Sequence, residues 1–168
     1  MSLLALLQLC CVAVFALLLV SAGWQDLKTM RIANGISLGI GASFAIWAGA
    51  GVLLDRVAAV QVGLSLACAL FVFLVGTVGF ALGAIGGGDV KLLAAASLFA
   101  GPAHQIDFLT VTACAGGLLA LAALAGARLG PSKSDGPGVT RERLRQALPY
   151  GPAIAMGGLW VAASLMTS

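Results

Sequence analysis

The sequence predicts an all-α fold, a polytopic bundle of about six transmembrane helices that forms one membrane domain over residues 1–168. Of the 168 residues, 61% are hydrophobic and only 9% are charged, and the mean hydropathy is +1.08. An average soluble domain is roughly a quarter charged. The polar side chains are therefore too few to cover a soluble core.

Six apolar runs give the predicted spans. A helix needs about 20 apolar residues to cross the hydrocarbon core of a bilayer. The predicted spans are residues 3–23, 35–54, 58–85, 91–102, 108–127 and 153–166. The fourth is short, and we expect it to be tilted or incomplete. A cleaved signal peptide is the alternative for the first run, but such a peptide begins with basic residues, whereas Lys28 is the first basic residue here.

Basic residues predict the orientation, because cytoplasmic loops carry the excess of Lys and Arg. With the amino terminus outside, six spans place Arg56 on the outer side. The other eight basic residues then lie on the inner side: Lys28, Arg31, Lys91, Arg128, Lys133, Arg141, Arg143 and Arg145. This asymmetry favours counting residues 91–102 as a crossing, since otherwise the basic loop 128–148 would lie outside.

The loop 128–148 is the longest polar stretch of the chain. Its residues Arg141, Arg143 and Arg145 either fix the topology alone or also gather anionic lipid or an acidic segment of a substrate. Apolar runs separate the other basic residues. They form no basic patch, so nucleic acid is not an expected partner.

Two of the six acidic residues lie at the inner ends of predicted spans. Asp26 follows the first span and Asp89 follows the third. Both spans run from outside to inside, so both carboxylates reach the same membrane face. A carboxylate at the membrane boundary is costly unless it is paired or used. The other four acids have ordinary explanations: we expect Asp55 in an outer turn, Asp107 as the cap at the start of the fifth span, and Asp135 and Glu142 in the polar loop.

Three glycines, Gly86, Gly87 and Gly88, directly precede Asp89. Consecutive glycines sustain a helix poorly, so the third span should end here. We expect Gly86 and Gly88 to shape the turn and to let an extended peptide approach the backbone. The alternative is purely structural, with the glycines forming a turn and Asp89 capping the amino end of the next helix.

A lysine follows each of these acids two positions later, so that the two tracts share the pattern G-x-x-D-x-K. Lys28 follows Asp26, and Lys91 follows Asp89. The lysines are candidates for tuning the charge of the two acids or for fixing the topology.

Two carboxylates that share one water cannot both ionise comfortably, so one proton is shared and the pair titrates as a unit. The ionised member can take a proton from water while the protonated member polarises a peptide carbonyl. This is aspartic-protease chemistry. Asp26 and Asp89 are therefore the candidate catalytic residues, and such chemistry needs no metal and no cofactor.

Other catalytic chemistries lack their residues. His104 is the single histidine and lies on the predicted outer side, so neither a zinc peptidase nor a Ser-His-Asp site can form on the inner face. The cysteines all fall in apolar runs without a C-x-x-C pair, which argues against a metal site or a disulfide framework. They are Cys10, Cys11, Cys68 and Cys114.

These motifs resemble those of one family. Residues 86–89 fit the G-x-G-D signature of the membrane aspartyl peptidases that process type IV prepilins. Residues 26–34 resemble the first-aspartate loop of that group, although Ala33 stands where proline is usual, which should loosen the loop slightly. Residues 149–153 are similar to the closing motif of the family. The resemblance covers essentially the whole chain.

Longer members of the family carry a methyltransferase region with paired C-x-x-C motifs, and this sequence has neither the length nor those cysteines. The resemblance therefore implies the short, peptidase-only form found with Tad or Flp pilus systems. It implies a multi-pass enzyme of the bacterial inner (cytoplasmic) membrane with Asp26 and Asp89 as catalytic residues. Its substrate would be a prepilin, cut at the cytoplasmic face just before the hydrophobic segment.

Two other functions stay open on the sequence alone. One is a small membrane carrier or channel, which would place ionisable groups near the bilayer midplane; none of the six acids lies there. The other is a noncatalytic subunit of a membrane assembly, which fits the many glycines at helix-packing spacing.

Overall fold

The computed structural model describes residues 3–125 and 149–167. Over these residues the regular secondary structure is entirely α-helical. The described part of the chain contains five helices: α1 (Leu3–Thr29), α2 (Asn34–Leu53), α3 (Ala59–Ala81), α4 (Gly87–Leu124) and α5 (Gly151–Thr167). The predicted all-α fold is confirmed. The predicted basic loop 128–148, with Arg141, Arg143 and Arg145, lies outside the described residues.

The first four helices, α1 to α4, are long and apolar enough to cross a membrane. Helix α5 is apolar but shorter, at 17 residues. A multi-pass helical bundle in a membrane is therefore confirmed. The number of six crossings stays a prediction, because the predicted fourth and fifth spans lie together in α4.

Helix α4 is broken at Gly101, where φ is 53° and ψ is −171°. Pro102 follows and has no N–H to continue the helical hydrogen bonds. Beyond the break, Gln105 Nε2 donates to Ser97 Oγ at 3.2 Å. In a continuous helix residues eight positions apart are about 12 Å apart, so the chain turns sharply here. We call residues 87–100 the amino-terminal arm and residues 102–124 the carboxyl-terminal arm.

The amino-terminal arm packs at the centre of the bundle. Phe99 stacks on Phe15 of α1 with 4.2 Å between ring centroids, and it contacts the edge of Phe44 of α2 at 5.4 Å. Leu92 and Ala96 of the same arm are fully buried. Because α1 and α2 both pack on this arm, it forms the core of the fold.

Helix α5 packs on α1 and on the carboxyl-terminal arm through glycines. A side chain at Gly158 would collide with Leu19 of α1, and one at Gly157 would collide with Thr112 of the arm. Small residues let helices approach closely in lipid. The van der Waals contacts formed in this way drive helix association there, because the hydrophobic effect does not act between helices in a bilayer. The glycine-rich composition therefore serves helix packing at these positions.

Replacing Gly101 by alanine should destabilise the protein. Its φ and ψ lie in a region that is essentially restricted to glycine, where another residue costs about 1–3 kcal/mol. An added Cβ would also lie 2.8 Å from Ser65 Oγ. Thermal unfolding of the purified protein in detergent should show a lower midpoint for Gly101→Ala.

Gly117→Ala is the matched control, because Gly117 lies in the same α4 with open space around it. Its midpoint should be unchanged or slightly higher, since alanine favours helix. Equal midpoints for the two variants would mean that the break at Gly101 is not a fixed part of the fold.

Candidate active site

Asp26 lies in the last turn of α1 and is 5% exposed. The helix ends three residues later because Met30 adopts a left-handed backbone, with φ at 52°. The Met30 N–H donates to the Asp26 carbonyl at 2.9 Å, which satisfies a carbonyl that the helix end would leave open. The carboxylate is thus presented at the end of α1 that adjoins the start of α2.

The first residue of α5 holds the Asp26 carboxylate. The Gly151 N–H donates to Asp26 Oδ2 at 2.8 Å, and the free N–H groups of a helix amino terminus favour negative charge. An added Cβ at Gly151 would lie 2.7 Å from Asp26 Cβ, so glycine is required here. This role of Gly151 was not predicted from the sequence. The only signal for it was the Pro-Tyr-Gly-Pro tract, residues 149–152.

Asp89 occupies the third position of α4, and Gly86 is the residue that caps this helix. The interpretation of Asp89 as the cap is therefore wrong. The Asp89 carboxylate instead accepts from the Gly86 N–H, as in the reciprocal half of a capping box. An added Cβ at Gly86 would lie 2.7 Å from Asp89 Oδ2, so a side chain there would displace the carboxylate.

The fold brings Asp26 and Asp89 together across 63 positions of sequence. Their carboxylates lie close enough for the two charges to interact. The start of α5 meets the end of α1 here through the bond from Gly151 to Asp26, and the start of α4 meets the start of α2 through the bond from Lys91 to Asn34. The two acids thus lie at the same end of the bundle; that this end faces the cytoplasm stays a prediction.

Gly88 lies against the segment that joins α1 to α2. An added Cβ at Gly88 would lie 3.3 Å from Ile32 Cβ, a tight contact. The break between α3 and α4 covers residues 82–86, so Gly86 caps α4 and Gly88 lies in its first helical turn. Each of these glycines makes room for a specific neighbour. A role for them in the approach of a substrate stays a prediction.

Both candidate lysines contact other groups. The Lys28 ammonium lies 4.7 Å from the centroid of the Trp24 ring, in a cation–π arrangement. Lys91 Nζ donates to Asn34 Oδ1 at 3.0 Å, which links the start of α4 to the start of α2. The proposed tuning of the acids by these lysines stays a prediction.

A cleft of about 680 Å³ adjoins the segment between α1 and α2. Its lining consists of Gln25, Thr29, Arg31, Ile32, Ala33 and Asn34. Neither aspartate is among these residues. The segment therefore has one face open to this cleft and another packed on Gly88.

The comparisons with known proteins identify the family. A model described as the type IV leader peptidase family matches residues 13–121, which is more than half of the chain and includes both aspartates. The chain belongs to the type IV leader peptidase family. No curated protein and no solved structure matches it. Membership indicates a peptidase that spans the membrane and acts on the leader of a pilin precursor.

In this leader peptidase, Gly151→Ala should reduce cleavage of the precursor. The added Cβ would push the Asp26 side chain of α1 away from the start of α5, and a displacement of about 1 Å at a reacting group can cost about 10²-fold in rate. The conversion of co-expressed precursor to the shorter product, followed on a gel, measures the effect.

Gly63→Ala provides the control for this variant, because the space around Gly63 on α3 is open. It should cleave like the parent protein. If Gly151→Ala, present in the membrane at the same level, also cleaved like the parent, the Asp26 contact would have no importance for the activity.

Proposed function

We propose that this chain is a Flp-type prepilin peptidase of the bacterial cytoplasmic membrane, with Asp26 and Asp89 as its catalytic dyad. It removes the leader at the cytoplasmic face. The observation that carries the proposal is the meeting of two distant acids at one end of a bundle that has few charges. Asp26 is buried and bonded to the Gly151 N–H, and the charge of Asp89 interacts with it.

Each carboxylate is held by one backbone N–H, from Gly151 for Asp26 and from Gly86 for Asp89. A carboxylate has two oxygens, so each acid keeps acceptor capacity for a water between them. Two like charges in one partly buried site are unfavourable, and the pair holds a shared proton. The dyad therefore offers one base and one acid together.

Cleavage uses both the ionised and the protonated carboxyl group of the pair. The ionised carboxylate takes a proton from the water as the water oxygen attacks the scissile carbonyl carbon. The protonated carboxylate hydrogen-bonds to the carbonyl oxygen and supports the negative charge that develops there. When the tetrahedral intermediate collapses, the C–N bond breaks and the leaving amine receives the proton that the base carboxylate took from the water, which returns the pair to its starting state. The products are a leader with a free carboxylate and a pilin with a new amino terminus.

The cap and the first turn of α4 begin with Gly86, Gly87 and Gly88, whose backbone lies beside Asp89 and carries no side chains. A peptide bond can be attacked only when its carbonyl reaches the shared water, and side chains at the turn would hold the substrate backbone away. Glycine therefore suits both the packing of the turn, described above, and the approach of an extended leader.

The peptidase reading is better supported than the carrier, channel or assembly-subunit alternatives. The family match includes both Asp26 and Asp89. Each acid lies at the end of a helix that begins or ends at the site, Asp26 near the end of α1 and Asp89 near the start of α4. A transport site at the bilayer midplane would need ionisable groups at mid-helix depth.

The cationic residues Arg141, Arg143 and Arg145 suit the inner membrane surface. Anionic lipids of the cytoplasmic leaflet attract basic segments with about 1 kcal/mol for each Lys or Arg near the surface. We infer that these arginines contact anionic lipid at the same face as the dyad.

Asp26→Asn and Asp89→Asn should each abolish cleavage of a co-expressed Flp-like prepilin. Asparagine has nearly the same shape but cannot exchange the proton, so the loss should be about 10²-fold or more. The ratio of mature to precursor pilin on an immunoblot measures it, at equal levels of the peptidase in the membrane.

Asp107→Asn serves as the control, because Asp107 is an exposed carboxylate on the same helix as Asp89. This variant should process the prepilin normally. Normal processing by either dyad variant would show that the aspartates are not the catalytic pair.

A further inference from the structure

Residues 30–33 join α1 to α2 and lie beside the first turn of α4. The segment has no helical structure after Met30. Ala33 ends it in an extended conformation, with φ at −67° and ψ at 132°. A short irregular connection of this kind is held by specific contacts rather than by repeating backbone hydrogen bonds.

The segment begins on α1 with the bond from the Met30 N–H to the Asp26 carbonyl, and a side chain of α1 holds its other end. Gln25 Oε1 accepts from the Ala33 N–H at 3.0 Å. Gln25 is the residue before Asp26, so the bond joins the segment to the same helical turn that carries the first aspartate. The loosening expected from alanine in place of proline at position 33 is thereby opposed by a hydrogen bond.

A further contact packs the segment on α4. Gly88 lies directly against Ile32, since a Cβ added to Gly88 would be 3.3 Å from Ile32 Cβ and 3.6 Å from the Ile32 backbone nitrogen. Gly88 is the residue before Asp89. Ile32 also packs against the hydrophobic core, so its side chain has a fixed place between the core and the first turn of α4.

We propose that Gln25 and Ile32 are positioning residues that set the separation of the two aspartates. The connection runs from Asp26 to its neighbour Gln25, through the segment to Ile32, and from Gly88 to its neighbour Asp89. The proposal rests on the proposed function, because it concerns the geometry of that dyad.

Contacts that hold the two aspartates at a fixed separation are needed on physical grounds. The two carboxylates interact as like charges, and like charges at close range repel each other more strongly in a protein than in bulk water. Their attraction through a shared proton acts only in one protonation state. Contacts outside the pair must therefore keep the two helix ends at a constant distance through the catalytic cycle.

Ala33 provides a direct test of this idea. Its φ of −67° equals the value to which the proline ring restricts the backbone. Proline at this position would fix the segment without an N–H and without Gln25. If Gln25 acts only by fixing the segment, proline should replace it.

The experiment compares Gln25→Ala with Gln25→Ala/Ala33→Pro, using purified protein in detergent and a precursor substrate. For Gln25→Ala we expect kcat to fall about 10-fold while KM stays within about twofold, because misplaced reacting groups slow the chemical step. The double variant should recover most of the lost kcat. Thermal midpoints should be compared, so that a folding defect is recognised.

Gln61→Ala is the matched control. Gln61 Oε1 also accepts from a backbone N–H before a helix, that of Ala58 at 3.3 Å, but it lies at the start of α3. The kcat of the Gln61→Ala variant should equal that of the parent protein.

Ile32 is tested by a graded pair. Ile32→Val keeps the branched Cβ that meets Gly88 and should retain kcat. Ile32→Ala removes the rest of the side chain and should lower kcat about 10-fold with KM nearly unchanged. A fall for Ile32→Ala together with retention for Ile32→Val supports positioning by the packed side chain.

Two results would overturn the proposal. One is an unchanged kcat in both Gln25→Ala and Ile32→Ala. The other is a loss in Gln25→Ala that Ala33→Pro does not recover although the double variant folds normally. Neither result bears on the dyad itself, which stands or falls by the Asp26→Asn and Asp89→Asn variants.

Discussion

The burial of one short helical arm, residues 87–100, determines how the other helices are arranged. Phe99 near its end is enclosed by Phe15 and Phe44, and Leu92 in its middle is fully buried. A core packed to this density does not let one element slide past another without cost. Since Asp89 lies in the first turn of this arm, the packing of its apolar residues sets the position of that carboxylate.

Much of this fold could be predicted from local properties of the sequence. Apolar length located the helices, and the observed α2 over Asn34–Leu53 differs by one residue at each end from the predicted 35–54. The prediction ended the first span at residue 23, whereas α1 continues to Thr29. The polar residues that stop an apolar run do not stop a helix. The left-handed conformation of Met30 ends the helix, and the side chain of methionine does not predict that conformation.

The acidic residues of the site could be predicted because the chain has few charged residues. The geometry of the site could not, because backbone groups far away in the sequence determine it. With six acids in the chain, Asp26 and Asp89 could be singled out by position. The donor from Gly151 is 125 positions from Asp26, and a backbone N–H carries no signature in the sequence. The bond from Ala33 to Gln25 escaped prediction for the same reason. The glycines of the turn were recognised, but their neighbours were not.

Gly101 also fixes the length of the buried arm. The arm that ends there is about 21 Å long at 1.5 Å per residue, against a hydrocarbon core of about 30 Å. Irregular backbone at membrane depth is tolerated only where protein surrounds it. Gly101 is itself buried, so the bundle can hold this break within the hydrocarbon core without exposing its backbone polar groups to acyl chains.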